Sequence, residues 1–210
     1  MSRVKRYKVS KKALQRPEKP KKRLSKEMLF TLILAGLMIL SIFGIMFSGY
    51  ASGGEKRPYK DHDFRDTNLG WQVTIDDKQY AFQYHPEDLE ELMIEKEISD
   101  RLREASVVYV TFNPNTKNVQ IFEAAKFGIS NFLVERQVYA MPAITEENEL
   151  YNQELVTCQN ATRVVPVIDI RESNVTKVYM EGDCIVLEAD RYDVPPLVDR
   201  LAYAILGIIE

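Results

Sequence analysis

The longest apolar stretch in the chain is a run of 20 residues without a charged side chain, from Met28 to Phe47. At about 1.5 Å of rise per residue, a helix of this length spans roughly 30 Å, the thickness of a membrane's hydrocarbon core. The alternative is a cleaved signal peptide, whose apolar region is shorter and ends in a small-x-small cleavage site. Residues 51–54 resemble such a site, but the apolar run before them is too long. The pattern therefore predicts a retained transmembrane helix over residues 27–48.

Shorter periodic segments follow this run. Apolar and polar residues alternate at 71–75 and again at 79–84, which predicts a β-hairpin. Pro86 suits the first position of a helix, because its missing N–H has no partner there in any case. Ser99 is a candidate cap for a second short helix that ends near Ala105.

From residue 107 onward, strands and helices alternate. The predicted elements are, in order, a strand at 107–112, a helix at 119–136, a strand at 138–144, a polar, weakly helical segment at 149–161, a strand at 164–170, a hairpin at 176–188 and a helix opened by Pro195. Parallel strands joined by helices imply a sheet that is covered on both faces. The chain therefore predicts an α/β domain with a mixed sheet, in which an N-terminal hairpin and helix precede a β-α-β-(α)-β-β-α unit.

The segment Val165-Pro166-Val167 adds a resemblance to this pattern. In the order of its elements over residues 107–208, and in the proline that opens the strand before the last hairpin, the chain resembles the thioredoxin-like fold. The two redox cysteines of that family would fall near residues 117–120, which read Lys-Asn-Val-Gln. The resemblance therefore implies the fold but no dithiol exchange at that position.

Charge is distributed unevenly along the chain. Residues 1–26 hold 12 Lys and Arg against Glu18 alone, whereas the remaining residues hold 16 Lys and Arg against 30 Asp and Glu. Basic residues beside a membrane span stay on its cytoplasmic side. We therefore expect a single-pass membrane protein with a signal anchor. Its segments are a disordered cytoplasmic tail at 1–26, the transmembrane helix, a linker at 49–69 and an extracytoplasmic domain at 70–210.

The basic tail and the span also indicate partners. The span itself predicts contact with the lipid bilayer. Polybasic segments next to a membrane bind anionic lipid, at about 1 kcal/mol per basic residue near the surface, and similar segments bind the phosphates of RNA. The same charge could instead serve only to orient the helix.

Two cysteines and two sequons fall within the predicted outer domain. The triplets that begin at Asn160 and Asn174 are glycosylation sequons without an intervening proline, so both asparagines are candidate glycosylation sites. Cys158 and Cys184 are the two cysteines of the chain, and an oxidising compartment favours a disulfide between them over two buried thiols. Neither has a Cys-x-x-Cys partner or a Lys, Arg or His neighbour, which favours a structural, hard-to-reduce bridge.

No segment carries a recognisable catalytic motif. Asp61-His62-Asp63 and His85 are the candidates for a metal site, but adjacent side chains rarely face one ion, so a solvated charged loop is predicted at 61–63. The carboxylates of segment 86–105 are typical of the solvent-exposed face of a helix. The chain has no Gly-x-Ser-x-Gly, no histidine after His85 and no phosphate-binding glycine motif. We therefore predict no catalytic residue, metal or cofactor.

These observations support three hypotheses about function. The first is a membrane-anchored, extracytoplasmic interaction or accessory protein that binds another protein and catalyses no reaction. The second is a redox or chaperone-type protein with a thioredoxin-like fold that uses Cys158 and Cys184. The third is an assembly factor of a membrane complex that acts through the transmembrane helix.

Overall fold

The computed structural model describes residues 26–51 and 54–209, and it describes side chains for residues 26–41 and 54–209. The chain divides into two compact units, at residues 1–51 and 52–210. Up to residue 25, the tail predicted to be disordered lies outside the described residues. The first unit contains helix α1 (Lys26–Ala51). Among the residues with described side chains, no helix combines the length and the apolar character that a membrane crossing needs.

The second unit begins with a four-stranded antiparallel sheet in which the strands follow one another in chain order. Its strands are β1 (Lys56–Tyr59), β2 (His62–Thr67), β3 (Gly70–Ile75) and β4 (Lys78–Phe82). The hairpin predicted around residues 76–78 is confirmed as the β3–β4 pair. Ten of the 21 residues predicted as a linker at 49–69 instead form β1 and β2. These strands exist because Tyr59 and Phe64 are buried while charged side chains alternate with them on the exposed side.

A second, six-stranded sheet forms the centre of this unit. Its strands are β5 (Val107–Phe112), β6 (Tyr139–Ile144), β7 (Glu154–Leu155), β8 (Val167–Glu172), β9 (Lys177–Glu181) and β10 (Cys184–Ala189). They lie in the order β7-β6-β5-β8-β10-β9, and every neighbouring pair is parallel except β10 with β9. The prediction of an α/β domain with a mixed sheet is therefore confirmed.

Three α-helices pack against this sheet: α2 (Lys96–Glu104), α3 (Val119–Glu135) and α4 (Val194–Leu206). A single 3-10 turn at Pro86–Leu89 takes the place of the first predicted helix. The prediction that Ser99 caps the next helix is wrong, because α2 begins three residues earlier. Ser99 is buried inside the helix, and its hydroxyl donates to the carbonyl of Lys96 at 2.9 Å.

The thioredoxin-like arrangement suggested by the order of elements is not confirmed. Strand β8, which Pro166 precedes, runs parallel to both of its neighbours, β5 and β10. The last hairpin therefore joins the sheet through its second strand, β10, and leaves β9 at the edge. The periodic pattern identified the strands, but their order depends on contacts between segments far apart in sequence.

Helix α4 connects the two sheets of the unit. One side contributes Leu197, Leu201 and Ala204 to the core above the six-stranded sheet, where α3 also packs. Another side carries Tyr203, whose ring lies 4.1 Å from that of Phe82 in the antiparallel sheet. The two cores therefore meet at one helix.

Polar contacts from α4 also fix the end of β4. The carboxylate of Asp199 accepts hydrogen bonds from the backbone N–H groups of Gln83, at 2.7 Å, and Tyr84, at 3.0 Å. The hydroxyl of Tyr203 donates to the carbonyl of Tyr84 at 2.7 Å. Burial raises the pKa of Asp199 to about 6, although the two N–H groups act in the opposite direction.

The raised pKa of Asp199 predicts a pH-dependent stability. Between about pH 4, where the unfolded carboxyl titrates, and about pH 6, where the folded one does, the folded state binds more protons, so stability falls as pH rises. Asp199→Asn retains an acceptor without the charge. We therefore expect it to remove this decline, which is on the order of 2–3 kcal/mol. Urea unfolding of both proteins across this pH range measures the effect.

Asp199→Ala is the matched control for the hydrogen bonds, because it lacks the charge and the acceptor as well. It leaves the N–H groups of Gln83 and Tyr84 without a partner, and we expect it to be about 1–3 kcal/mol less stable than Asp199→Asn at every pH. Equal pH dependence in the wild-type protein and Asp199→Asn would show that another group is responsible.

Candidate functional site

The order of the parallel strands creates a crevice beside β5. The chain leaves β5 through α3 to reach β6 on one side, and then crosses back to form β8 on the other side of β5. The connection that follows β5 leads toward β6, whereas the connection that follows β8 leads toward β10, so the two connections diverge. In open α/β sheets, ligands bind in the crevice at such a point.

A cavity of about 610 Å³ occupies this position. Its walls come from residues that follow β5 and β6, such as Asn113 and Thr145, and from the end of β8. Segment 157–159 and Glu181 of β9 complete them. The volume falls within the range of small-molecule sites, roughly 300–1,000 Å³. Most of the side chains in these walls are polar.

Segment 156–161 covers the face of the sheet that the helices leave open. Val156 is buried, and its carbonyl accepts a hydrogen bond at 3.0 Å from the hydroxyl of Thr111 on β5. Thr157 then caps a short 3-10 turn at Cys158–Asn160. Under this segment lies an apolar cluster formed by Ala143, Val156, Val167, Cys184 and Val186.

The two cysteines attach this segment to β10. Cys158 and Cys184 lie in a disulfide-compatible position with their Cα atoms 5.1 Å apart, within the usual range for a bridge. The geometry of the two residues therefore fits the predicted disulfide. Cys184 is fully buried at the start of β10, whereas Cys158 is half-buried and reaches the crevice.

A charged group stands beside the half-buried sulfur. Arg171 on β8 places its Nη2 atom 3.1 Å from the Sγ atom of Cys158, and its Nε atom 2.7 Å from the Oδ2 atom of Asp169. The sequence offered no cation next to either cysteine, but folding supplies one. The register of β8 and the return of segment 156–161 create this contact, which no local pattern encodes.

The two carboxylates around Arg171 differ in environment. Asp169 is 5 % exposed, and burial raises its pKa, while the hydrogen bond from Arg171 opposes that change. Glu181 on β9 is exposed and accepts from Nη1 of Arg171 at 3.1 Å. The wall therefore holds one guanidinium between a buried and an exposed carboxylate.

The opposite rim of the crevice is held by hydrogen bonds to another carboxylate. Glu172 accepts from the hydroxyl of Thr116 and from the side-chain amide of Asn118. The bond from Thr116 is the main cause that lowers the pKa of Glu172. Glu172 thus connects the end of β8 to the turn before α3 in the wall of the crevice.

Lys126 is a buried cation that sequence reasoning missed. It lies on the apolar face of α3, 4 % exposed, and its Nζ atom donates to Oε1 of Gln153 at 2.7 Å. The same nitrogen lies 4.5 Å from the centre of the Phe112 ring, and burial lowers the pKa of the amine. The spacing of Phe122, Lys126 and Ile129 along one helix face was the available signal. Lys126 holds loop 147–153 against the sheet.

The candidate metal residues do not come together. His85 is fully buried among aromatic rings, its Nδ1 atom accepts from the N–H of Glu87, and burial lowers its pKa, so the ring is neutral. The loop predicted at 61–63 is present only at Asp61, which lies in the turn after β1, whereas His62 and Asp63 belong to β2. Within residues 54–209, no three His, Cys, Asp or Glu side chains are grouped as metal ligands.

Both sequon asparagines lie at the surface. Asn174 is exposed in the connection between β8 and β9. Asn160 is also exposed, but its Oδ1 atom accepts from the backbone N–H of Thr157 at 2.9 Å, so its amide helps to hold the 3-10 turn.

The Asp169–Arg171 pair yields a prediction about stability. Arg171→Met leaves a buried carboxylate without its cation, and we expect a loss of about 2–3 kcal/mol at pH 7, because breaking a buried pair is costly. The loss should shrink as pH falls, since Asp169 can then bind a proton. Urea unfolding at pH 5 and pH 7 measures both effects.

The double variant Asp169→Asn/Arg171→Met is the matched control. It removes both charges together, and we expect most of the lost stability to return. If the double variant is no more stable than Arg171→Met, the guanidinium contributes through packing and not through its charge.

Comparison with known protein families, with curated proteins and with solved structures finds no match to this chain. The crevice at the ends of β5 and β8, with the bridge and Arg171 in its wall, is therefore the candidate functional site.

Proposed function

We propose that this chain is a membrane-anchored accessory protein whose extracytoplasmic domain binds a partner in the crevice beside β5. The observation that carries the proposal is the position of this crevice, where the connections from two parallel strands diverge. The polar wall supplies hydrogen-bonding groups for recognition. A binding role requires no catalytic motif, which agrees with the sequence.

The anchor is inferred from the sequence. The uncharged run from Met28 to Phe47 matches the thickness of a hydrocarbon core, and the basic residues at 1–26 favour a cytoplasmic N-terminus. This orientation places residues 52–210 outside the cytoplasm. A bridge between Cys158 and Cys184 agrees with such a compartment, because disulfides persist where the environment is oxidising.

Topology is the first test of this proposal. Protease added to intact spheroplasts should digest the domain at 52–210 and leave the tail at 1–26 protected, because only the domain faces the medium. Immunoblotting with antibodies against each end gives the readout.

In a host that glycosylates, Asn174→Gln should also increase gel mobility, because it removes a glycosylation site, whereas Asn152→Gln, outside a sequon, should not.

Permeabilised spheroplasts are the control, because both ends should then be digested. A domain that resists protease in intact spheroplasts but not in permeabilised ones would overturn the proposed orientation.

Partner capture tests the crevice itself. Gln159→Arg adds a long charged side chain to the crevice wall without touching the sheet. We expect it to reduce the recovery of crevice-bound proteins from native membranes roughly tenfold, since a desolvated clash at the centre of an interface removes most of the affinity. Quantitative mass spectrometry of affinity-purified full-length chain is the measurement.

Gln79→Arg is the matched control, because Gln79 is exposed on β4, away from the crevice. Its set of co-purified proteins should equal that of the wild-type chain. Equal recovery with Gln159→Arg as well would place the partner on another surface.

A further inference from the structure

We propose that the Cys158–Cys184 bridge is an exchangeable disulfide that oxidises a pair of cysteine thiols on a bound protein or peptide, with Cys158 as the sulfur under attack. The inference rests on the proposed extracytoplasmic location, where the bridge persists. It assigns an activity to the crevice in addition to binding. Three features of the wall support it: unequal access to the two sulfurs, a cation at one of them and a buried carboxyl beside the bridge.

Access differs between the two ends of the bridge. Cys158 lies in the wall of the 610 Å³ crevice, whereas Cys184 is 0 % exposed beneath segment 156–161. An incoming thiolate can therefore reach the Sγ atom of Cys158 and not that of Cys184. This asymmetry fixes Cys158 as the residue that forms the mixed disulfide and Cys184 as the residue that resolves it.

The cation at Cys158 is held in place before any reaction. Nη2 of Arg171 lies 3.1 Å from Sγ of Cys158, while the other two nitrogens bond to Asp169 and Glu181. A guanidinium at this distance stabilises a thiolate, which lowers the pKa of a cysteine. It therefore stabilises the reduced form of the protein and makes the bridge a better oxidant. Arg171 is a positioning residue in this scheme.

Asp169 is the third feature of the wall, because its carboxylate holds the guanidinium beside the bridge. Its Oδ2 atom lies 3.7 Å from Sγ of Cys158, so the carboxyl stands beside the bridge in a largely dry site. When the bridge opens, the Cys184 sulfur leaves as a thiolate into apolar surroundings, which favour the neutral thiol. The proton that it binds is the one that the second thiol of the partner loses, and the Asp169 carboxylate stays paired with Arg171.

The exchange balances without any further reactant. A thiolate of the partner attacks Sγ of Cys158, a new S–S bond forms, and the bond to Cys184 breaks with its electron pair passing to the Cys184 sulfur, which binds a proton. The second thiol of the partner loses its proton and attacks the partner sulfur of the mixed disulfide, releasing Cys158 as a thiolate. The partner dithiol is oxidised to a disulfide, and the bridge is reduced to two thiols.

The charges that face Cys158 come from β8 and β9, which lie on either side of β10. Asp169 and Arg171 lie on β8, and Glu181 lies on β9. Tyr109 of β5 packs on the same apolar cluster, but its hydroxyl donates to Glu154 at 3.1 Å. The 3-10 turn adds only uncharged neighbours, Thr157 and Gln159. The thiolate of Cys158 therefore depends on Arg171 for its stabilisation.

The first experiment measures the equilibrium of the bridge in the full-length chain with glutathione as the probe. We expect at least about a tenth of the molecules to be reduced in roughly 10 mM reduced glutathione, because a bridge with one accessible sulfur and a stabilised reduced form has a more oxidising potential. Alkylation followed by mass spectrometry counts the thiols. A bridge that stays fully oxidised until denaturant is added overturns the proposal.

The second experiment isolates Cys158. In the full-length Cys184→Ser variant, the remaining thiol should react with iodoacetamide at pH 6.5 about fivefold faster than the same thiol in a background that also carries Asp169→Asn/Arg171→Met. This background removes the cation without leaving an uncompensated carboxylate. Arg163→Met, which removes an exposed cation from the connection before β8, is the control and should leave the rate unchanged.

The pH profile of alkylation separates the proposed role from a structural one. We expect the midpoint for Cys158 to lie below that of a free thiol, about pH 8.5, and to rise toward it when Arg171 is replaced. Identical midpoints with and without Arg171 overturn the proposal. Protease accessibility is measured separately, so a failure of the exchange remains distinguishable from a failure of the proposed topology.

Discussion

A parallel sheet must be covered on both faces, and the way this chain meets that requirement determines most of its second unit. Helices α2, α3 and α4 lie on one face. Within residues 54–209, no α-helix covers the other face, where segment 156–161 lies across the strands with Val156 buried and Cys158 joined to β10. An irregular segment can cover a sheet only if its backbone groups are satisfied. The bonds to Thr111, the cap at Thr157 and the β7 pairing meet this condition.

The same face changes from apolar to charged along a single strand. Val167 lies under the covering segment, Asp169 at its margin and Arg171 at the crevice, because alternate residues of a strand share one face. The crevice therefore begins where the covering segment ends. The bridge belongs to both regions, with Cys184 in the apolar cluster and Cys158 in the polar wall. The same bond thus attaches segment 156–161 to β10 and places the sulfur of Cys158 in the crevice wall.

Local patterns predicted the elements but not their arrangement. The alternation around β3 and β4, the β-branched run of β5 and the helical spacing of α3 are all encoded within a few turns of chain, and all three are confirmed. Strands β1 and β2 were not predicted, because their exposed positions are densely charged and this pattern is also typical of a linker. The order of the strands and the contact between Arg171 and Cys158 depend on long-range pairing. Local sequence patterns therefore predict neither the strand order nor this contact.

The arrangement of β5 also has a consequence for how the domain folds. During synthesis from the N-terminus, β5 can pair with β6 through the intervening helix α3, since Val107 and Tyr139 are separated by one helical crossover. Its other edge stays unpaired until β8 has been synthesised, because Tyr109 pairs there with Val167, 58 positions later. Contacts of such high sequence separation form slowly, because a long loop must close first. Until then, one edge of an apolar strand is open to neighbouring chains, so a holdase chaperone that shields β5 should matter more for this domain than for one built from local hairpins.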